Sequence, residues 1–127
     1  MIAKILVADD SQEIGTLLKE YLSARGHAVI VVTDGYQLVE AAQKNQPHLI
    51  IADILMPSAY GSSAYQILQK DKATAAIPFL FVSAHPFEKV RGILPNDSKT
   101  RFLPKPISFE DLDKRMAELL PLGGFVP

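Results

Sequence analysis

The chain has 127 residues, of which 48% are hydrophobic and 21% charged, with a formal net charge of −1. That composition suits one globular domain and excludes a disordered chain, and so balanced a charge provides no field that draws in nucleic acid or an anionic membrane surface. There is no cysteine, so disulfides, thiolate catalysis and cysteine-held metals are excluded.

No apolar run approaches the ~20 residues of a membrane span. The opening MIAKILVADD lacks the long apolar middle of a signal peptide. The expectation is a soluble, cytoplasmic protein with no membrane insertion and no direct contact with nucleic acid.

Ile2 to Ala8, IAKILVA, is short and largely apolar, as a strand buried on both faces would be. In the segment that follows, Ile14, Leu17, Leu18, Tyr21 and Leu22 recur at helical spacing, with Ser11 placed to cap the start and Gly26 to end it. His27 to Val32, HAVIVV, reads as a second strand rich in β-branched residues. Asp34-Gly35 mark a turn, and Leu38, Val39 and Ala42 a second helix that stops before Pro47.

Leu49 to Ala52 is the third strand and delivers Asp53. A third helix is placed from Tyr60–Ser63 to about Asp71. Pro78 to Ser83 is the fourth strand, with proline tolerated at its first residue. A poorly patterned helix covers Phe87 to Leu94, and Arg101 to Leu103 make a short fifth strand. Ser108 caps a last helix whose face carries Leu112, Met116, Leu119 and Leu120. Residues 121–127, PLGGFVP, read as a flexible tail on a domain of residues 1–120. His27 and His48 begin strands on the edge away from the acids and are expected at the surface.

Five strands alternating with five helices imply an α/β fold with parallel pairing. In such sheets ligands bind beyond the carboxyl ends of the strands. Asp9 and Asp10 follow the first strand, Asp53 the third, Ser83 the fourth and Lys105 the fifth. Each residue alone is commonplace: a cap, a turn acid, a solvated hydroxyl, a loop charge. Together they gather three carboxylates, which repel one another unless a cation joins them. Oxygen ligands without histidine or cysteine point to Mg²⁺ or Mn²⁺ rather than zinc. Lys105 and Ser83 beside them would hold an anion, so phosphoryl chemistry is implied. Asp53 would attack a phosphorylated donor to give an aspartyl phosphate, while Asp9 and Asp10 hold the metal.

Asp9-Asp10, then D-x-x-M-P-x-x-x-G at Asp53, Met56, Pro57 and Gly61, then Ser83-Ala84 and Lys105-Pro106 together resemble a response-regulator receiver domain, from Ile2 to about Leu120. The resemblance implies a flavodoxin-like, three-layer (βα)5 fold with strand order 2-1-3-4-5. It implies phosphotransfer from a sensor histidine kinase or a histidine phosphotransfer domain, and a downstream protein partner. It gives the Leu55 backbone carbonyl to the metal site. It makes Phe102 and Ser83 a conformational switch, the ring turning inward as Ser83 moves toward the phosphoryl group, which alters the face built by the fourth helix, fifth strand and fifth helix.

Such a domain is a phosphoacceptor with slow self-catalysed phosphotransfer and autodephosphorylation at most, not an enzyme. A constitutive interaction module and a phosphorelay intermediate are the alternatives. An aspartate-nucleophile phosphatase would want an acid two residues after Asp53, where Leu55 stands. A flavodoxin-type cofactor domain would want a phosphate-binding loop where Asp9-Asp10 stand.

Two departures from the family pattern stand out. In relatives the positions of Leu55 and His85 flank the approach of the hydrolytic water, and Leu55 gives that water no hydrogen-bond partner, so a slow loss of the phosphoryl group is expected. LPNDSKT, Leu94 to Thr100, contains Pro95, which cannot continue a helix without losing a hydrogen bond. The fourth helix is therefore expected to be short, with a long polar loop after it in the signalling face.

Overall fold

The computed structural model describes residues 2–56 and 61–125, the side chains of 61 and 62 excepted. The elements run β1 (Lys4–Ala8), α1 (Gln12–Ala24), β2 (Ala28–Val32), α2 (Gly35–Asn45), β3 (Leu49–Asp53), α3 (Gly61–Gln69), β4 (Phe79–Ser83), α4 (Phe87–Val90), β5 (Thr100–Pro104) and α5 (Phe109–Leu119), followed by a 3₁₀ turn at Leu120–Gly123. Pro57 of the motif and the helix start expected at Tyr60 lie outside the described residues. No helix among the described residues is long and apolar enough to cross a membrane.

The five strands form one parallel sheet in the order β2-β1-β3-β4-β5. Its central strands are apolar apart from Lys4, Asp53 and Ser83 at their ends, because both faces are covered, and successive side chains enter opposite layers. Ile5, Val7, Leu49 and Ile51 pack with Leu18 and Leu22 of α1 and Leu112 and Met116 of α5. Leu6, Ala8, Ile50 and Ala52 pack on the other face with Leu38 and Ala42 of α2, Leu68 of α3 and Val90 of α4. This is the expected three-layer flavodoxin-like arrangement.

Local signals set the element ends. The Ser11 hydroxyl accepts from the Ile14 amide and caps α1, and Ser108 does the same for α5 through the Asp111 amide. Gly26 adopts φ +89°, the left-handed conformation that ends α1. Asp34 is more than a turn residue: its carboxylate accepts from the Gln37 amide and caps α2.

Helix α4 has only four residues, shorter than the expected Phe87–Leu94, and residues 91–99 run on as turns and irregular chain. Four polar side chains, Tyr65, Asp97, Lys99 and Thr100, pin that loop. The Tyr65 hydroxyl donates to the Asp97 carboxylate, which also accepts from the Thr100 hydroxyl at 2.7 Å. The Lys99 ammonium donates to the Tyr65 hydroxyl at 2.8 Å and lies 4.4 Å from the centre of its ring. Burial and the Asp97 carboxylate push the Tyr65 pKa up to about 12, so the phenol stays a donor at neutral pH.

The flexible tail expected from Pro121 is corrected by the structure as far as Phe125. The chain folds back through the 3₁₀ turn and buries Phe125, 5% exposed, in the layer shared by α1 and α5. The aromatic ring has apolar surface to hide, and Gly123 and Gly124 permit the close approach needed to hide it. A Cβ on Gly123 would overlap the His48 carbonyl oxygen, and Gly124 takes φ +86°. His27 and His48 are likewise half-buried rather than surface residues, each accepting a backbone hydrogen bond from β1 or its approach.

Candidate functional site

The carboxyl ends of β1, β3, β4 and β5 meet at one edge of the sheet, as parallel pairing requires. Asp9 follows β1 and is 1% exposed. Its Oδ1 accepts from the Ser11 amide at 2.9 Å, which fixes the carboxylate as it fixes the start of α1. Asp53 ends β3, is also buried, and its Oδ1 accepts from the Leu55 amide at 3.3 Å. Asp10 stands exposed at the rim. One carboxylate oxygen from each of Asp9, Asp10 and Asp53 lies within 4.8 Å of the others.

Lys105 balances the buried pair. Its ammonium sits 2.8 Å from Asp9 Oδ2 and 3.5 Å from Asp53 Oδ2. The Lys105 amide donates to the Ser83 carbonyl at 2.8 Å, which ties the residue to the end of β4. Ser83 is buried, pairs with Pro104 in the sheet, and its Oγ accepts from the His85 amide at 3.0 Å. The hydroxyl proton thus remains to be donated elsewhere.

The charges perturb one another. Burial pushes the Asp53 carboxyl above its ordinary range; Lys105 pulls it back, and Asp9 adds to the rise. Burial alone would lower the Lys105 ammonium, but Asp9 and Asp53 outweigh it and hold the amine protonated well into the alkaline range. Asp9 Oδ2 is buried with no aligned hydrogen-bond donor, although the ammonium is close to it. An under-satisfied buried carboxylate oxygen among three convergent acids fits a hard divalent cation.

Phe102 is not at this cluster. It packs half-buried on the α2–α3 layer and meets Phe87 edge to face, with ring centres 5.5 Å apart and planes at 67°. A groove of about 410 Å³ opens beside the two rings, lined by Leu94, Pro95, Arg91 and Arg101 among others. Leu55 is 37% exposed beside the acids.

A family model described as the response regulator receiver domain matches residues 5–117. The chain is a receiver domain of that family. Among its relatives, it is 31% identical to Protein PilH of Pseudomonas aeruginosa over 119 residues, 94% of this chain and 98% of PilH. It is 32% identical to the alkaline phosphatase synthesis transcriptional regulatory protein PhoP of Bacillus subtilis over 121 residues, but spans only 49% of that protein. It spans 12% of the sensor histidine kinase TmoS of Ectopseudomonas mendocina. The same module therefore occurs nearly alone, in a transcriptional regulator and in a kinase.

Solved structures agree on the fold. The chemotaxis response regulator CheY4 of Vibrio cholerae superimposes with a TM-score of 0.81 at 25% identity, covering 94% of this receiver domain and 99% of CheY4. The receiver domain of the sensor histidine kinase PA1611 from Pseudomonas aeruginosa, solved with a magnesium ion in its active-site cleft, superimposes at 0.86 with 22% identity, over 95% of this chain and 99% of that one. Receiver domains take Mg²⁺ in an acidic cleft and work with histidine kinases and downstream targets.

The acid pair, Asp53, Ser83 and Lys105 were readable in the sequence because each ends or follows a strand. The Tyr65–Asp97–Lys99 contact was missed. Its partners are 32 and 34 residues apart, and the only signal was an aspartate in a polar loop.

Proposed function

We propose that this receiver domain accepts a phosphoryl group on Asp53 from a phosphohistidine of a sensor histidine kinase or a histidine phosphotransfer domain. The observation that carries this reading is the convergence of three carboxylates with one ammonium that touches two of them. Asp9, Asp10, Asp53 and the Leu55 carbonyl would hold Mg²⁺. When bound, the ion offsets the negative charge of the transferring group.

An Asp53 carboxylate oxygen attacks phosphorus as the P–N bond of the donor breaks. The departing imidazole keeps that electron pair and, carrying a proton on its other nitrogen, leaves neutral. Lys105 moves from two carboxylates to the phosphoryl oxygens, and Ser83 donates its free hydroxyl proton to another. Asp53 needs no separate base, since a carboxylate attacks as the anion and the Lys105 charge favours that form. Loss of the phosphoryl group by hydrolysis is slow, and the domain performs no turnover on a substrate of its own. Its site of action is cytoplasmic.

The signal leaves through the face of α4, β5 and α5. Ser83 drawn toward the phosphoryl group makes room for Phe102, whose inward turn breaks the contact with Phe87 and reshapes the groove for a protein partner. The test is incubation with Mg²⁺ and beryllofluoride or a small phosphodonor. An adduct on the native chain, absent from Asp53→Ala, is expected; no adduct on the native chain would favour a constitutive interaction module.

A further inference from the structure

The far edge of the sheet, at the amino ends of the strands, carries two imidazoles that the phosphoryl site does not use. His27 Nδ1 accepts the Ala3 amide at 3.3 Å, and His48 Nδ1 accepts the Lys4 amide at 2.9 Å. Both rings also meet the buried Phe125 at steep angles. The centres of His27 and Phe125 are 6.2 Å apart with planes at 78°, and those of His48 and Phe125 are 5.5 Å apart at 65°. The folded-back segment is held to this edge by Phe125 and by the fit of Gly123 against the His48 carbonyl.

We propose that His27 and His48 form a proton-sensitive clasp that holds Leu120–Phe125 on the sheet edge when neutral and releases it when protonated. An imidazole accepts through a ring nitrogen only while that nitrogen lacks a proton. Histidinium carries N–H on both nitrogens, so protonation sets an N–H of the ring against the N–H of Ala3 or Lys4. Each ring must then turn away, and Phe125 rests against both.

The surrounding charges do not favour the cation. Lys4 on β1 is itself positive, with its ammonium tied to the Asn45 carbonyl at 2.8 Å. Arg25, at the end of α1, shares the rim of a groove with His27. The carboxylate on that rim, Asp113 of α5, is already engaged by the Tyr21 hydroxyl and the Arg25 guanidinium. Residues 120–125 carry no charge. Burial, reinforced by Arg25, lowers the His27 pKa from its ordinary value. Nδ1 of each ring accepts a backbone amide and so carries no proton in the docked arrangement, and acidification toward the range where histidine alone among side chains ordinarily titrates sets protonation against both contacts.

The experiment is an NMR titration of the full chain from neutral to mildly acidic pH. It follows the imidazole signals of His27 and His48, the Phe125 ring, and the amides of Ala3, Lys4 and Gly123–Phe125. Gly123→Ala supplies the reference spectrum of the undocked segment. The expected result is that the Phe125 and tail signals move to the undocked positions along the same curve as the histidines, more steeply than a one-proton transition, while the amides of β3 and β4 stay in place. A His27→Gln, His48→Gln pair retains acceptors that cannot titrate and is expected to stay docked across the range. Histidines that titrate while Phe125 remains in place, or Phe125 held more tightly in acid, would overturn the proposal. So would a tail transition that persists in the double variant. The native titration decides the matter by itself if that variant does not fold.

Discussion

Replacing Lys105 with methionine keeps the stem of the side chain and removes the charge that Asp9 and Asp53 share. At an effective dielectric constant of about 20, contacts of 2.8 and 3.5 Å correspond to about 6 and about 5 kcal/mol of gross attraction. Desolvation of the three groups offsets most of this. Because Asp9 stays buried and loses its partner, the net cost is expected at about 3 kcal/mol, or roughly 10 °C in melting temperature for a domain of this size.

The pH dependence has a definite sign. Asp53 binds its proton more tightly in the folded chain than in the unfolded one, so stability falls as pH rises from the unfolded carboxylate pKa through the folded one. Without Lys105 that window extends upward. The deficit of Lys105→Met is then largest at neutral pH and shrinks as pH falls into the raised titration range of Asp53. Mg²⁺ binding the folded state restores stability by mass action, and restores more in the variant, where no ammonium competes for the same oxygens. Thermal melts in chelator and in excess Mg²⁺, at two pH values, read all of this. A variant that melts with the native protein in chelator, or gains no more from Mg²⁺, would refute the reasoning.

Three further predictions concern other parts of the molecule. Tyr65→Phe removes the hydroxyl joining Asp97 and Lys99 and should cost about 1 kcal/mol, with faster amide hydrogen exchange confined to the 96–100 loop; unchanged exchange there would show that the contact does not hold the loop. Leu55→Asn gives a water beside Asp53 a hydrogen-bond partner and should shorten the lifetime of the aspartyl phosphate, measured as phosphate release; no acceleration would count against Leu55 as the brake. The chain contains no tryptophan, so Phe102→Trp creates a single fluorophore. Its emission should shift when beryllofluoride and Mg²⁺ are added together, and a silent probe would argue that position 102 does not report the site.

The sequence carried most of the sheet and most of the site for the same reason. A strand buried on both faces reads as a short apolar run, and the residue after it stands where parallel strands open. IAKILVA and LIIA were legible in that way, and so were Asp9, Asp10 and Asp53. Contacts that depend on distant chain segments were not. Phe125 follows two glycines, which read as a loose end until His27 and His48 are seen to form its seat. Asp97 sits in a loop whose polarity suggested solvent, yet its carboxylate bonds to Tyr65 on α3. Pro95 did mark the end of helical structure, but not how early: α4 stops at Val90, ahead of both Gly92 and the proline. In each case the local pattern described the segment and said nothing of the surface waiting for it.

The proposed function turns on Asp53 as the phosphoacceptor. The most direct measurement is fragment-resolved mass spectrometry of the chain after exposure to Mg²⁺ and a phosphorylated histidine phosphotransfer domain. The mass of one phosphoryl group is expected on the peptide containing Asp53, absent from Asp53→Ala and strongly reduced in Lys105→Met. A phosphoryl group on another residue, or none on the native chain, would contradict it.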